Sequence, residues 1–423
     1  MHEQISQIGI LLQYTRIIFD ALVLWGQEMK YDVCIVGGCG RVGLPLALCF
    51  AKVGKTVAIY DINHEACISI NNGIMPFHEE GAEEQLKEAI SQGRVHAGCD
   101  EEVISQSDAV ILILGTPVDA HLNPSFSGIT RSLRSLIPYL KDGQLLVLRS
   151  TVYPGTTEKV RRMLESLGLS IEVAFCPERI AEGYALKETF ELPQIVSAFT
   201  PEGARLAKNL FSAFTDDIVE VTPLEAEVAK LFTNVWRYIK FAISNQFFTI
   251  ANDHGLDYYR IHKAITHNYP RAKDLPKAGF AAGPCLFKDT MQLASFANNN
   301  FFLGHSAMLI NEGLPLYIVN ALQAEHQLSK LTVGVLGMAF KGDSDDARES
   351  LAYKLRKILE IECQKVLITD PYVADERIIP VEDLIAQSDI IIIGTPHKVY
   401  KDLDFKGKEV VDVWDLLGKG GLI

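Results

Sequence analysis

The sequence predicts an α/β protein: two doubly wound, parallel-sheet domains joined by a central α-helical region with one long buried helix. Three observations predict this. Short apolar, β-branched runs recur at both ends of the chain, and stretches of helical periodicity separate them, as in strands covered on both faces. Between the two ends, a helical pattern runs from about Leu224 to His254 and is closed by Gly255. The length, 423 residues, suits two or three domains with sizeable cores.

The first strand is Tyr31 to Val36, and Gly38-Cys39-Gly40-Arg41-Val42-Gly43 follows it. An apolar helix pattern then runs through Lys52, and a second strand, Thr56 to Tyr60, ends at Asp61, 23 residues after the first glycine of the motif. This is a dinucleotide fingerprint in its required setting, so the domain is read as Rossmann-like. The glycines allow a tight turn and close approach of a pyrophosphate, and the helix N-terminus supplies amides and a positive dipole. Asp61 would bind the ribose hydroxyls and repel a 2′-phosphate, which selects NAD over NADP; otherwise it is a surface loop aspartate.

Asp108 to Leu114 and Leu145 to Leu148 are further strands, running into Gly115-Thr116-Pro117 and Ser150 to Thr157. Ligands gather at the carboxyl ends of such strands, so Thr116 and Thr151 are candidate ligand contacts, or else helix N-caps. The strand Glu172 to Phe175 leads into Cys176-Pro177-Glu178-Arg179, where Glu178 is a candidate acid–base group or a helix-start carboxylate.

The long helix is apolar nearly all round and is expected to be buried at the centre of the molecule. Glu227, Lys230, Asn234 and Arg237 nevertheless form one stripe along it, at i, i+3, i+7 and i+10. That stripe is catalytic, or Glu227 and Lys230 form a structural salt bridge. Beyond it, Gly279 to Asp289 sets Cys285 in a turn of small residues, with Lys288 and Asp289 just after it. Small residues admit a substrate to the backbone, and a neighbouring cation favours the thiolate; a partly buried, inert thiol is the alternative. A helix from His305 to Gln323 follows. The last hundred residues return to α/β alternation, with strands at Leu331–Leu336, Lys365–Thr369, Asp389–Ile393 and Glu409–Val413 and no complete second fingerprint. The expected divisions are an extension over 1–28, an NAD-binding domain over 29–205, a central helical region over 206–325 and a C-terminal α/β domain over 326–423. The extension is read either as preceding a true start at Met29 or as a short extra helix.

The net charge of −13 argues against nucleic acid and anionic membrane as partners. Eight cysteines without a C-x-x-C pair offer no zinc or disulfide framework and fit a reduced, cytoplasmic protein, so no metal is expected. Charged residues interrupt the apolar runs before Met29, and neither a membrane span nor a signal peptide is expected.

Seven stretches in order resemble the UDP-glucose/GDP-mannose dehydrogenases: GCGRVG, GTP at 115–117, STVYPGTT at 150–157, CPER at 176–179, AEVAKLFTN at 226–234, GPCLFKD at 283–289 and GMAFKGDSDDARES at 337–350. The resemblance covers about Met29 to Ile423. It implies an NAD-dependent enzyme that oxidises a nucleotide sugar to its uronate, using two NAD per turn. Cys285 aligns with the nucleophile, Lys230 and Asn234 with an oxyanion- and water-binding pair, Asp289 with a second acid–base residue, Glu178 with the catalytic glutamate, and Thr151 with a water-orienting threonine. Cofactor contacts are expected at Gly38, Gly40, Arg41, Val42, Gly43, Asp61, Thr116, Thr151 and Lys288. Substrate contacts are expected at Glu178, Arg179, Lys230, Asn234, Gly283, Lys341 and Arg348, with Arg271 reaching a partner subunit's substrate in a homodimer.

The forms Asn268-Tyr269-Pro270-Arg271 and Cys176-Pro177-Glu178-Arg179 are similar to the branch acting on UDP-N-acetylhexosamines. Lys288-Asp289 is in the glucose/mannose style, so UDP-glucose and then GDP-mannose stand as alternatives. The related 3-hydroxyacid dehydrogenases would need neither Cys285 nor the C-terminal domain. A vestigial NAD- or nucleotide-sugar-binding sensor would not need the intact set of Cys285, Lys230, Asn234 and Glu178.

Overall fold

The computed structural model describes residues 30–115 and 126–423. Thr116 and the extension through Met29 therefore lie outside the described residues. The chain forms two compact units: the first takes the N-terminal sheet and its helices up to Ala226, and the second holds Thr151–Thr156 and Glu227–Ile423.

In the first unit the strands are β1 (Tyr31–Val36), β2 (Val57–Tyr60), β3 (Val95–Gly98), β4 (Ser107–Leu112), β5 (Leu145–Leu148) and β6 (Glu172–Phe175). They form one sheet in the order β3-β2-β1-β4-β5-β6, with every pairing parallel. The order reverses between β1 and β4, so their carboxyl ends flank the topological switch point where such sheets bind ligands. Helix α1 (Gly43–Lys52) buries nine of its ten residues against the sheet core. A Cβ on Gly43 would lie 2.5 Å from the Cα of Gly38, so glycine is required where helix meets strand. Helix α2 (His64–Asn71) follows β2, with Asn63 capping its first turn. Two short strands, β7 (Gln194–Val196) and β8 (Ile218–Glu220), pair separately in parallel. Neither they nor β3 was expected, because VHAG, QIV and IVE lack the unbroken apolar run that marks the four-residue strands β5 and β6.

Helix α3 (Pro223–Asp253) lies one residue from the expected start and end, and from Glu227 on it belongs to the second unit. That unit continues through α4 (Leu286–Phe296), α5 (Phe302–Glu325), β9 (Thr332–Leu336), α6 (Leu351–Glu362), β10 (Lys365–Thr369), β11 (Ile390–Ile393) and β12 (Glu409–Val411). The sheet runs β10-β9-β11-β12, again parallel throughout. Its core joins with residues of α3 and α5, including Phe248, Leu314, Ile318 and Leu322. The central helices and the C-terminal sheet thus share one core.

The expectation that α3 is buried all round is corrected. Leu231, Val235, Tyr238 and Ala242 are buried, but Phe232, Trp236, Ile243, Phe247 and Ile250 are each 38–57% exposed and recur at helical spacing along one face. Helix α5 exposes Leu303, Leu309 and Leu316 similarly. Among the described residues, no helix is long and apolar enough to cross a membrane.

Candidate active site

In the first unit the motif turns tightly from β1 into α1. No side chain caps α1 at Val42, which leaves its N-terminal amides to an anion. A Cβ on Gly40 would meet nothing within 4 Å, so the space beside the loop is open. Arg41 stacks over the Phe77 ring at 5.1 Å. Asp61, at the carboxyl end of β2, accepts the Cys39 N–H at 3.0 Å through Oδ2 and the Asn63 N–H at 3.0 Å through Oδ1. A carboxylate held against a glycine turn in this way fits the ribose and pyrophosphate of a dinucleotide.

Glu178 sits beyond β6 with both oxygens engaged. Its Oε2 accepts from Arg149 Nε at 2.9 Å and Nη2 at 2.5 Å, and its Oε1 accepts from the amides of Arg179 at 2.7 Å and Ile180 at 3.1 Å. Arg149 is itself buried, donates to the Cys176 carbonyl at 3.1 Å and stacks over Phe211. Arg179, half-buried, donates to the Pro193 carbonyl. The sequence reading missed Arg149 altogether. Its one signal was an arginine between a strand and a hydroxyl-rich turn.

In the second unit the cysteine turn bends at Gly279 and Gly283, both with positive φ. A Cβ on Gly283 would lie 2.7 Å from the Phe340 ring, so the turn needs glycine to pack against the 337–350 loop. The Gly283 N–H also donates to the Glu349 carbonyl at 3.3 Å. Cys285 is exposed and occupies the N-cap of α4, where amides and helix dipole favour an anion. One turn on, Asp289 is fully buried; its Oδ2 accepts from Asn234 Nδ2 at 2.5 Å, joining α4 to α3. Its Oδ1 accepts no hydrogen bond among the described residues and lies 3.4 Å from Lys288 Nζ. Elsewhere on the stripe, Glu227 accepts the Gly155 N–H at 2.5 Å, anchoring the turn that follows Thr151; Lys230 is half-buried and Arg237 exposed.

Lys341 is half-buried and lies over the Phe340 ring at 6.0 Å, while the exposed Arg348 forks onto Asp346. Arg271 is exposed beside Tyr269. The sequence reading also missed what pins the loop. Asp370, after β10, accepts the Met338 and Ala339 amides at 2.6 and 3.1 Å, and buried His397 bridges Asp370 at 3.0 Å and the Asp343 N–H at 2.9 Å. The signal was present: Asp370 follows the second strand of its sheet as Asp61 follows β2, and both carboxylates hold the loop after the first strand.

An NAD-type loop in one unit and a thiol–carboxylate–amide group beside a nucleotide-domain loop in the other define an oxidoreductase of the nucleotide-sugar dehydrogenase class. The chain belongs to the UDP-glucose/GDP-mannose dehydrogenase family: the family's NAD binding domain matches residues 31–215, its central domain 224–312 and its UDP binding domain 334–419. It is 32% identical over 394 residues to the UDP-N-acetyl-D-mannosamine dehydrogenase of Pyrococcus horikoshii, covering 90% of this chain and 91% of that one. The solved structure of a UDP-D-ManNAc dehydrogenase from the same organism superposes with a TM-score of 0.84 at 30% identity, covering 91% of this chain and 95% of the other. A UDP-glucose dehydrogenase from Pyrobaculum islandicum gives 0.83 at 28% identity over 92% and 95% of the two chains. The protein is accordingly an NAD-dependent nucleotide-sugar dehydrogenase.

Proposed function

We propose that the protein oxidises the C6 hydroxyl of a UDP-N-acetylhexosamine to the carboxylate in two steps, with the sugar held covalently on Cys285 between them. The observation that carries this reading is the first turn of α4: exposed Cys285 at the N-cap, and buried Asp289 one turn later, bonded to Asn234. NAD, for which Gly38, Gly40, Arg41, Val42, Gly43 and Asp61 form the fitting loop, supplies the hydride acceptor. The Lys230 ammonium stabilises the developing alkoxide. The Cys285 thiolate adds to the C6 aldehyde as a thiohemiacetal and then carries the sugar as a thioester. Water hydrolyses that thioester, with Asp289 Oδ1 favoured as its base, since among the described residues that oxygen accepts no hydrogen bond and has only Lys288 Nζ at 3.4 Å, while both Glu178 oxygens are taken. Glu178 then acts chiefly by fixing its own loop. Lys341 and Arg348 are the proposed groups for the UDP phosphates and sugar.

The N-acetylhexosamine assignment is supported by the similarity to UDP-N-acetyl-D-mannosamine dehydrogenases. UDP-glucose is the second reading, because a UDP-glucose dehydrogenase superposes almost equally well. We also propose a homodimer, supported by the exposed apolar faces of α3 and α5, and a reducing cytoplasm, supported by eight free cysteines. A panel of nucleotide sugars with NAD tests the reading: a UDP-N-acetylhexosamine should give about two NADH per sugar consumed, and Cys285→Ser should block uronate formation while leaving NAD affinity within about twofold. Full uronate yield from Cys285→Ser, or turnover of UDP-glucose alone, would refute the corresponding part.

A further inference from the structure

Three thiols meet at the carboxyl edge of the first sheet, and the proposed mechanism uses none of them. Cys39 lies in the loop after β1, Cys67 in α2 after β2, and Cys99 directly after β3. These three strands are adjacent, in the order β3-β2-β1. The Cys39 and Cys67 sulfurs, both buried, are 3.6 Å apart, and Cys67 Sγ lies 4.0 Å from the Asp61 carbonyl. Cys99 is exposed and joins the same edge through its neighbour: the preceding residue, Gly98, accepts the N–H of Asp61, the residue whose carbonyl lies beside Cys67 Sγ, at 3.0 Å. The thiols therefore form a line from solvent, through α2, to the residue whose amide holds Asp61.

We propose that Cys99, Cys67 and Cys39 form an oxidisable thiol relay that ends in a Cys39–Cys67 disulfide and weakens the binding of NAD. The oxidant is a hydroperoxide. Its distal oxygen transfers to the Cys99 sulfur, giving a sulfenic acid and the alcohol, or water from hydrogen peroxide. Cys67 attacks that sulfur, water leaves, and a Cys67–Cys99 disulfide forms. Cys39 then attacks the Cys67 sulfur and expels Cys99 as a thiol. The net change is two thiols and one hydroperoxide to one disulfide, one alcohol and one water. Burial pushes the Cys67 thiol up to about 11 and that of Cys39 higher still, so neither is the first to react, and the exposed sulfur is needed as the gateway.

The effect on NAD rests on the reading of the 38–43 loop as its site. A disulfide needs the two sulfurs at about 2.0 Å, so Cys39 must move toward α2. Gly38 cannot follow, because even a Cβ there would lie 2.8 Å from the Ile35 carbonyl and the Ile59 side chain, whereas Gly40 has open space. The shift therefore falls on the Cys39 amide, which holds Asp61 Oδ2, and on the mouth of the loop.

The full-length protein is treated with tert-butyl hydroperoxide, its free thiols are alkylated, and disulfide-linked peptides are mapped by mass. NAD affinity is measured by calorimetry, because exposed Cys285 would also be oxidised and turnover would mislead. Expected results are a Cys39–Cys67 linkage, NAD affinity lower by about tenfold and its recovery with dithiothreitol. Cys99→Ser should form the linkage at least about tenfold more slowly, and Cys67→Ala should keep its NAD affinity through the treatment. Absence of the linkage, a linkage arrested at Cys67–Cys99, or equal rates in wild type and Cys99→Ser would overturn the relay. A loss of affinity in Cys67→Ala equal to that of wild type would overturn it too. If the linkage forms and NAD binds as before, the effect on NAD is refuted. Asp61→Ala then separates the two ideas: unchanged discrimination against NADP in that variant means the loop reading itself has failed.

Discussion

A buried arginine is costly unless its charge is matched, and Arg149 is matched by one carboxylate that two backbone amides hold from the other side. Arg149→Met should therefore destabilise the first unit by about 3–5 kcal/mol, because it strands the Glu178 charge, and the double variant with Glu178→Gln should recover part of that loss. Urea unfolding checks this, and a cost below about 1 kcal/mol for Arg149→Met would rule the clamp out. The second unit offers a pH test. Burial alone would raise Asp370, but His397 and the backbone amides outweigh it and hold the carboxyl down at about 2, below the ordinary 3.8. A carboxyl depressed on folding contributes stability above its unfolded value and loses it as pH falls through the folded one. Asp370→Asn should thus be less stable than wild type by on the order of 2 kcal/mol at neutral pH, and the difference should close between about pH 4 and 2. A difference that is flat across that window would refute the assignment.

At the scale of elements, the strands covered on both faces were legible. The limits of β1, β5, β6 and β10 are those read from their apolar runs, and β2, β9 and β11 each begin one residue later than read. Arg149 and His397 were not legible, since each is buried by partners distant in sequence, and locally each reads as a surface residue in a loop. Helix α3 shows a different limit. A helix apolar all round has the same sequence whether its own chain covers it or a second copy does. The exposure of Phe232, Trp236, Phe247 and Ile250 shows that the described residues of this chain leave that face uncovered. If the face is a subunit contact, Trp236→Glu should shift the sedimentation profile to monomer and leave the far-ultraviolet dichroism of the helices in place. An unchanged dimer, or a monomeric wild type, would remove α3 from the interface.

At the scale of the whole molecule, the proposed dimer makes a claim that no single-subunit experiment can test. Arg271 is exposed on the segment between α3 and the cysteine turn, and the proposed dimer has it reach a partner subunit's substrate. If so, an Arg271→Ala subunit keeps a working cysteine but needs its partner's arginine, and a Cys285→Ser subunit keeps a working arginine but has no nucleophile. Each homodimer should then be nearly inactive. Mixed dimers would hold one site with an intact Cys285 from one chain and Arg271 from the other. Random reassortment makes half the dimers mixed, with one of their two sites complete, so uronate formation should return to about a quarter of wild type under the two-fold symmetry of such a pair. Co-expression with two different affinity tags, followed by isolation of the doubly tagged species, should raise that to about half. If Arg271 serves its own subunit, the mixed dimer has no complete site and stays as inactive as its parents. The recovered fraction therefore reports whether each active site belongs to one chain or two.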